Sequence, residues 1–500
     1  MVNLKKLVFS FPLLYLLSVA VVAQSTIFPV SLKTRKTAVN KLADVIQFQT
    51  VSSLNQEQFR YKEFKALHAY LQDAFPLIEE NLTRNVVNQY SLLYTWKGSN
   101  SDLKPVLLSA HMDVVPVEAA SEGGWQEEPF AGVVKEGFIW GRGTMDDKYR
   151  VMAIMEAVEN LLEKGYQLER TVYLAFGHDE EVGGYEGAGK ISAYLAEQGV
   201  ELEAVFDEGL AIAEDVLPSI SEPLALVGTA AKGNINLKLT VEGTGGHSSV
   251  PPKDSPIYIL GNAISNLHAK PFKARMTPTT KETVAVLANN LGGKYQFAMR
   301  HYYLFKGKIL KMLAKDRATD ALIRTKMVPT ILEAGDKYNV LPRIATAVIN
   351  VRILNGETDE TVLRHIQKAI DDDRVKIEVH GVYTPPSPVT ATNTQVFESL
   401  RKAIVDNFEN VLVVPALFPG STDSKHYTNL TDNIFRFAPQ VVNRKNAQLI
   451  HNVDERLAID VYERSITFYD SLIRNTCGKN AEMNMVSDDD LNESVGVLGN

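Results

Sequence analysis

The chain has 500 residues, a formal net charge of −8, 45% hydrophobic and 22% charged residues, and one cysteine, Cys477. This length allows two domains with a large core, because a domain takes roughly 100–200 residues. The acidic balance argues against a nucleic-acid-binding protein. A single cysteine excludes an internal disulfide, so the core or bound metals must stabilise the fold.

The first 23 residues have the pattern of a secretory signal peptide. Lys5 and Lys6 precede the apolar run LVFSFPLLYLLSVAVVA, and small residues close this run before Gln24. An uncleaved membrane anchor is the alternative, since the run is near the lower length limit for spanning a bilayer. We expect a secreted glycoprotein, with the vacuolar or lysosomal lumen as the alternative location. Its N-glycosylation sequons begin at Asn81, Asn429 and Asn492.

Helical and strand-like patterns alternate along much of the chain. Apolar residues return every three to five positions in 57–75 and again after Asp146 and Asp147, which predicts two helices. Buried strands alternating with helices are typical of an α/β domain. Short apolar runs predict such strands at Val106–Ala110, Val172–Phe176, Ala204–Phe206 and Ile434–Ala438.

A different pattern begins near Gly233. NINLKLTVEG, TAVINVRIL and RVKIEVHGV alternate like half-exposed strands, which predicts an α+β domain at 230–382 inserted into the α/β domain. The α/β domain then comprises 24–229 and 383–478. The apolar, basic stretch 296–312 is either a packed lid helix or an apolar wall for substrate. The acidic tail 479–500 is predicted to be disordered.

Ionisable side chains follow the predicted strands of the α/β domain. They are His111, Asp113, Asp146, Glu180, Glu181, Asp207 and His451. Ligands of open α/β sheets bind beyond the carboxyl ends of the strands, so these side chains are expected to converge. Imidazoles and carboxylates suit zinc, and a carboxylate can bridge two ions. Without metal the adjacent carboxylates would repel each other, so the set predicts a divalent-metal site.

Five segments carry a resemblance to a known family: SAHMDVVP, GRGTMDDK, GHDEEVGG, GTGGHSSVP and IHNVDE. In order and spacing they resemble the aminoacylase / carboxypeptidase S family of co-catalytic dizinc metallopeptidases. The resemblance covers about 40–470 and is greatest to the secreted branch that makes and cleaves N-fatty-acyl amino acids. It implies a zinc-peptidase-like catalytic domain with a mixed, mostly parallel sheet and an inserted α+β lid or dimerisation domain.

The resemblance implies two Zn²⁺ ions in each subunit. Asp146 would bridge the two ions. His111 and Asp207 would complete one metal site, and Glu181 and His451 would complete the other.

The resemblance also implies residues for catalysis and substrate binding. Glu180 would be the general base, and Asp113 would orient His111 through its second ring nitrogen. His247 would stabilise the oxyanion, in many relatives from the partner subunit, which predicts a homodimer. A turn cap for His247 and an ion pair on the strand face for the lid arginine remain alternatives. The substrate's carbonyl and carboxylate would be held by Asn339, Arg352 and Gly420.

These features predict a metal-dependent amidohydrolase that cleaves, and in reverse forms, the amide bond of N-acyl amino acids. A hydroxide held between the metals is the expected nucleophile. The stretch 296–312 and secretion favour fatty acyl groups and a lipid or lipoprotein surface as partner. A carboxypeptidase acting on small peptides is the first alternative. An inactive peptidase-like binding protein is the second, but it predicts missing ligands or a missing base, and this sequence retains both.

Overall fold

A computed structural model describes residues 32–55, 57–118, 124–215 and 220–479. The predicted signal peptide lies outside the described residues, as does the acidic tail beyond residue 479. Within the described ranges, no helix combines the length and apolarity that a membrane span requires.

Helices and strands alternate as the sequence predicts, with a cluster of helices in the second half. In chain order the helices are α1 (Leu32–Ile46), α2 (Tyr61–Ala74), α3 (Pro76–Asn81), α4 (Lys148–Glu163), α5 (Ala188–Glu197), α6 (Pro256–Ala269), α7 (Pro278–Leu291), α8 (Gly293–Arg300), α9 (Tyr302–Leu313), α10 (Arg317–Ala321), α11 (Asp359–Ile370), α12 (Gln395–Asn407) and α13 (Ile459–Cys477). The strands are β1 (Thr83–Val87), β2 (Ser91–Trp96), β3 (Val106–His111), β4 (Val133–Lys135), β5 (Phe138–Trp140), β6 (Val172–Gly177), β7 (Ala204–Ala213), β8 (Leu224–Ala231), β9 (Gly233–Glu242), β10 (Gly246–His247), β11 (Lys326–Ala334), β12 (Val340–Leu341), β13 (Ile344–Ile353), β14 (Val375–Val379), β15 (Leu412–Phe418), β16 (Ile434–Val442) and β17 (Arg456–Ala458).

The larger domain is built on an eight-stranded sheet in the order β1-β2-β6-β3-β7-β16-β8-β15. The central strands β6, β3, β7 and β16 run parallel, whereas β1, β2 and β6 pair antiparallel at one edge. Strand β3 is buried along its whole length, as expected for a parallel sheet covered on both faces. The predicted α/β class with a mixed, mostly parallel sheet is confirmed.

Helices cover both faces of this sheet. On one face α4 packs against α1 and α13, and its Ile154 and Val158 are fully buried. On the other face Ile191 and Leu195 of α5 pack in a cluster with Val205 of β7. Burying one such side chain contributes ~1.5–3 kcal/mol, so this three-layer core holds the carboxyl ends of the central strands in place.

The inserted domain contains an antiparallel sheet in the order β11-β13-β9-β14. In β9, buried Ile235, Leu237 and Leu239 alternate with half-exposed polar residues, as the sequence pattern predicts. Helices α6 and α11 cover the apolar face of this sheet. At Gly233, where β9 begins, a Cβ atom would lie 2.6 Å from the Pro386 nitrogen, so only glycine lets the chain pass between the domains here.

The helices α7 to α10 lie outside the core of the inserted domain. Val286 and Leu287 of α7 pack beside Val414 of β15, the edge strand of the larger sheet. The buried residues of 296–312, among them Met299 and Tyr302, pack in one cluster with Ala288 of α7 and with Ile323. The packed-helix alternative therefore describes 296–312 better than an apolar wall at the metal site.

Candidate metal centre and active site

The ionisable residues lie at the carboxyl ends of the central strands of the larger sheet. His111 is the last residue of β3, and the 3-10 helix Glu180–Val182 follows β6. Asp146 lies two residues before α4, and His451 lies between β16 and β17. Neighbouring strands are ~4.8 Å apart, so residues at the ends of adjacent parallel strands come within reach of one ion.

Two groups of three side chains share Asp146, and each group could hold a metal ion. In the first group, His111 Nε2 lies 3.0 Å from Asp146 Oδ1 and 3.6 Å from Glu208 Oε1. In the second group, His451 Nε2 lies 3.0 Å from Asp146 Oδ2 and 3.2 Å from Glu181 Oε1. Each oxygen of Asp146 therefore faces a different group, which is the arrangement that a bridging carboxylate requires.

The structure does not bring Asp207 into the ligand cluster, and Glu208 occupies the place predicted for it. Asp207 Oδ2 instead accepts a hydrogen bond of 2.7 Å from the Ser424 amide, and its Oδ1 lies 4.0 Å from Arg150 Nη1. Successive side chains of a strand point to opposite faces, so only one of the two adjacent carboxylates in β7 can face the cluster. This corrects the predicted ligand set.

Asp113 fixes both His111 and the turn that carries the two glutamates. The carbonyl oxygen of Asp113 lies 3.0 Å from His111 Nδ1 and its Oδ1 lies 3.3 Å away, which leaves Nε2 of that imidazole free to face the cluster. The carboxylate also accepts hydrogen bonds from the Ser52 hydroxyl at 2.6 Å and from the Glu180 and Glu181 amides at 3.2 and 3.1 Å. A carboxylate that orients a metal-binding histidine in this way is typical of metalloenzymes.

Glu455, which is not among the residues predicted for the site, holds the turn that carries Asp146. One oxygen of Glu455 accepts hydrogen bonds from the Gly143 and Met145 amides at 3.0 and 2.8 Å. The other oxygen pairs with Arg142, and both side chains are buried. The sequence feature that could have indicated Glu455 is its position four residues after His451 in IHNVDE. Arg142 forms the other half of this ion pair.

The electrostatics of the cluster fit bound cations. Burial raises the pKa of Glu208, and the charge of Asp146 raises it further. The carboxylates of Asp146 and Glu181 raise the pKa of His451 to about 10, against burial, which lowers it. Burial lowers the pKa of His111, but Glu208, Asp113 and Asp146 together raise it well above its usual value. The cluster thus holds excess negative charge, and its nitrogen and oxygen donors are those that zinc prefers.

Glu180 lies beside the ligands without being one of them. Burial raises its pKa well above the usual range, and the negative charges of Asp423, Glu181 and Asp146 oppose the positive charge of His111. Asp423 is itself buried, and neither of its carboxylate oxygens has a hydrogen-bond partner in the described part of the chain. A carboxyl group in such surroundings readily holds a proton, which is a requirement for general acid–base catalysis.

The residues predicted from the inserted domain do not join this cluster. His247 is exposed, and its Nδ1 forms a hydrogen bond of 2.7 Å with the Ser249 hydroxyl. Asn339 is also exposed, and its carbonyl accepts a hydrogen bond from the Ser248 amide at 3.2 Å. Arg352 is half-buried in β13 and has no ion-pair partner among the described residues. The turn cap proposed for His247 therefore matches its contacts within one chain, whereas the ion pair proposed for Arg352 is not found.

Gly420 lies in the loop after β15. A Cβ atom at this position would lie 2.7 Å from the ring of Phe418, so a larger residue would displace that side chain. The close contact explains why a glycine fits here.

Comparisons with known proteins identify the family of this chain. Residues 107–475 match the model of Peptidase family M20/M25/M40. The chain is 40% identical over 444 residues to "Probable carboxypeptidase S-like 2" of Dictyostelium discoideum, covering 87% of this chain and 84% of that protein. It is 38% identical over 467 residues to "N-fatty-acyl-amino acid synthase/hydrolase PM20D1.1" of Danio rerio, covering 91% and 89%.

A solved structure shares the fold. An M20 family metallo-carboxypeptidase from Sulfolobus solfataricus superposes with a TM-score of 0.64 at 19% identity, covering 87% of this chain and 98% of that one. The family match spans most of the chain, and the cluster contains side chains that could hold metal ions. The chain therefore belongs to Peptidase family M20/M25/M40 and is a metal-dependent hydrolase of amide bonds.

Proposed function

We propose that this protein is a secreted two-zinc enzyme that hydrolyses, and in reverse forms, the amide bond of N-acyl amino acids, with fatty acyl groups preferred. The observation that carries the proposal is the pair of ligand groups that share Asp146. The name of one relative, N-fatty-acyl-amino acid synthase/hydrolase, supports this substrate class. The composition of the N-terminal 23 residues supports secretion.

The proposed metal ligands are five side chains. His111 and Glu208 would hold one zinc ion with Asp146, and Glu181 and His451 would hold the other with Asp146. Bound zinc would act as a Lewis acid toward the amide carbonyl and lower the pKa of water toward neutrality. Asp113 would keep His111 in the tautomer that leaves Nε2 unprotonated toward the metal.

Glu180 is proposed as the general base. Its carboxylate would accept a proton from the attacking water and pass it to the leaving nitrogen, a role worth roughly 10²–10⁴-fold in rate. The hydrogen bond between the Glu180 amide and Asp113 supports this role, because it fixes the backbone of the base beside the ligand cluster.

A homodimer would complete the site. His247 is exposed and belongs to neither ligand group of its own chain, which supports a role in the active site of a partner subunit. In β11, Val328, Ile331 and Leu332 are exposed, and β11 is an edge strand of its sheet. Unpaired strand edges with exposed apolar residues readily pair with a second chain. In such a dimer Asn339 would lie with His247, because β10 pairs with β12.

The surface of α9 supports contact with a lipid or lipoprotein surface. Tyr303 and Leu304 are 87% and 80% exposed, and basic side chains follow them in the same helix at Lys306, Lys308 and Lys311. Apolar and basic side chains together on an exposed helix favour the interface of an anionic lipid layer. Binding there would bring the enzyme to fatty acyl substrates.

The test is a hydrolysis series on the purified secreted protein. N-acyl phenylalanines from acetyl to oleoyl and one blocked dipeptide would each be assayed with and without a chelator. We expect chelator-sensitive rates that increase with acyl length. Rates that are greatest for the dipeptide would instead support a carboxypeptidase, the second candidate, which the relatives named carboxypeptidase S favour. No hydrolysis of any substrate by the metal-loaded protein would overturn both.

A further inference from the structure

Arg150 is a buried arginine in the first turn of α4, near the ligand cluster but outside both ligand groups. Its side chain keeps a positive charge, although the residue is only 1% exposed. In sequence it lies four residues after Asp146, which is about one helical turn. A buried charge is costly unless it is paired and hydrogen-bonded, so the contacts of this guanidinium group indicate what it does.

Each nitrogen of the Arg150 guanidinium group donates a hydrogen bond. Nη1 donates to Asp147 Oδ2 at 2.9 Å, and Nη2 donates to the Ser109 carbonyl at 2.7 Å. Nε donates to the Tyr469 hydroxyl of α13 at 2.9 Å. Nη1 also lies 4.0 Å from Asp207 Oδ1. One rigid, planar group therefore connects two helices with two strands of the larger sheet.

The contact with Asp147 reaches two ligands of the first group through the backbone. Asp147 directly follows Asp146, and its Oδ2 also accepts a hydrogen bond of 3.2 Å from the His111 amide. The Asp147 carboxylate thus lies between the Arg150 guanidinium group and the backbone of His111. Moving this carboxylate would shift the turn that carries Asp146 and the end of β3 together.

The contacts with Ser109 and Asp207 lie where two central strands separate. Strands β3 and β7 pair in register only as far as Leu108 and Phe206. Ser109 and Asp207 are the next residues of these strands, and Arg150 contacts both of them. They precede the ligands of β3 and β7 by two residues and by one residue. The guanidinium group therefore replaces strand pairing as the link between these two ligands.

The second ligand group has other supports. The Glu181 amide donates to Asp113, and the loop that carries His451 is tied down by Gln126, whose amide donates to Asp454 Oδ1 at 2.7 Å. In the described part of the chain, Arg150 has no hydrogen bond or ion pair with either of these segments. Its contacts therefore favour the first group, and the shared Asp146 is the one ligand of the second group that they reach.

We propose that Arg150 is a positioning residue for the first metal site, which His111, Asp146 and Glu208 would form. The inference rests on the proposed function, because it takes the two ligand groups to be zinc sites. The guanidinium group fixes the spacing of the turn before α4 and the strands β3 and β7 before the metal binds. Zinc then binds more tightly, because less free energy is spent on arranging its ligands.

The test measures the zinc affinity of each site separately on the metal-free full-length protein, by competition with a chromophoric chelator. Glu181→Ala leaves the first site complete, and Glu208→Ala leaves the second site complete. In the Glu181→Ala background, Arg150→Lys should raise the zinc Kd about 10–100-fold, because lysine keeps the charge but not the planar fork. In the Glu208→Ala background, the same replacement should leave the zinc Kd within about threefold.

Arg170→Lys is the matched control. Arg170 is another buried arginine of the larger domain, but it precedes β6 and lies at the opposite, amino ends of the central strands. Its Nε donates to the Thr476 carbonyl at 3.0 Å, and its Nη1 lies 3.7 Å from Glu203 Oε2. This variant should lower the melting temperature of the metal-free protein and leave the zinc Kd of both sites unchanged. A merely structural role for Arg150 would give the same result.

Tyr469→Phe decides the question if Arg150→Lys does not fold. It removes only the hydroxyl that accepts from Arg150 Nε, and it should weaken zinc binding to the first site severalfold. A change in the deciding variant that is equal at both sites, or absent from both, would overturn the inference. If wild type bound fewer than two zinc ions, the proposed function would be contradicted and the inference with it.

Discussion

The two halves of the proposed active site are held in very different ways. Around the ligand cluster, Asp113 and Glu455 each accept several hydrogen bonds from backbone and side chains, and both are fully buried. In the inserted domain, His247 is exposed and its ring bonds only to the Ser249 residue of its own loop in the described part of the chain. One half is therefore fixed by the fold, and the other is free to meet a partner.

This difference indicates that the two domains supply different parts of the proposed site. The geometry that metal binding needs is set within the larger domain, where a core on both faces of the sheet keeps the strand ends in place. The oxyanion contact would be added when a second subunit or a domain movement brings His247 to the substrate. Preorganised groups cost no rearrangement during the reaction, whereas a recruited group can couple catalysis to assembly.

The largest effect is expected from Glu208→Ala. This variant should lose one zinc ion and nearly all activity, because the first ligand group would keep only His111 and Asp146. Asp207→Asn is the matched control: it should retain both metals, since Asp207 faces Ser424 and Arg150. Zinc content by mass spectrometry of the native protein distinguishes them. Two metals in Glu208→Ala and one in Asp207→Asn would restore the original ligand prediction.

Glu180→Gln should retain both zinc ions but lose roughly 10²–10⁴-fold in kcat, because the amide cannot accept a proton. The backbone hydrogen bond from this residue to Asp113 does not depend on its side chain, so the variant should fold as wild type does. Metal content and kcat would be measured on the same preparation. Activity near that of wild type would disprove the base assignment.

His247→Ala tests the oxyanion contact that we propose for the inserted domain. A lost oxyanion contact costs about 10²–10³-fold in kcat, with metal content and thermal stability unchanged because the side chain is exposed. Mixing His247→Ala with Glu180→Gln should restore part of the activity if the imidazole acts across a dimer. No recovery in a proven mixed dimer would place the contact within one chain.

The smallest effect is expected at the surface of α9. Replacing Tyr303 and Leu304 with serine should weaken binding to anionic lipid vesicles severalfold, because both side chains are exposed. Hydrolysis of a water-soluble short-chain substrate should not change. A matched double replacement of exposed Leu54 and Tyr61, which lie in the larger domain, should leave vesicle binding as in wild type. Equal losses in both variants would show that α9 has no special role.

Much of the larger domain follows from the sequence. The apolar runs that predict strands coincide with β3, β6, β7 and β16, because continuous burial leaves a simple pattern. The carboxyl ends of those strands then indicate where the ionisable residues meet. Four of the predicted ligands come together as expected: His111, Asp146, Glu181 and His451.

Other features depend on information that a local pattern does not hold. Asp207 and Glu208 are adjacent, and the sequence did not reveal that β7 continues to Ala213 or which of the two carboxylates points toward the cluster. Arg436 is the one charged residue of β16, but the sequence does not show that it lines a cavity formed by segments distant in sequence. Such contacts arise only from tertiary packing.

A zinc titration of the metal-free protein tests the central claim most directly. Hydrolysis of an N-acyl amino acid would be followed as zinc is added, with bound metal measured in parallel. Two ligand groups that share Asp146 predict that activity rises until two zinc ions are bound per chain and then stops rising. Full activity in the metal-free protein, or a maximum at one bound ion, would contradict the proposed two-metal site.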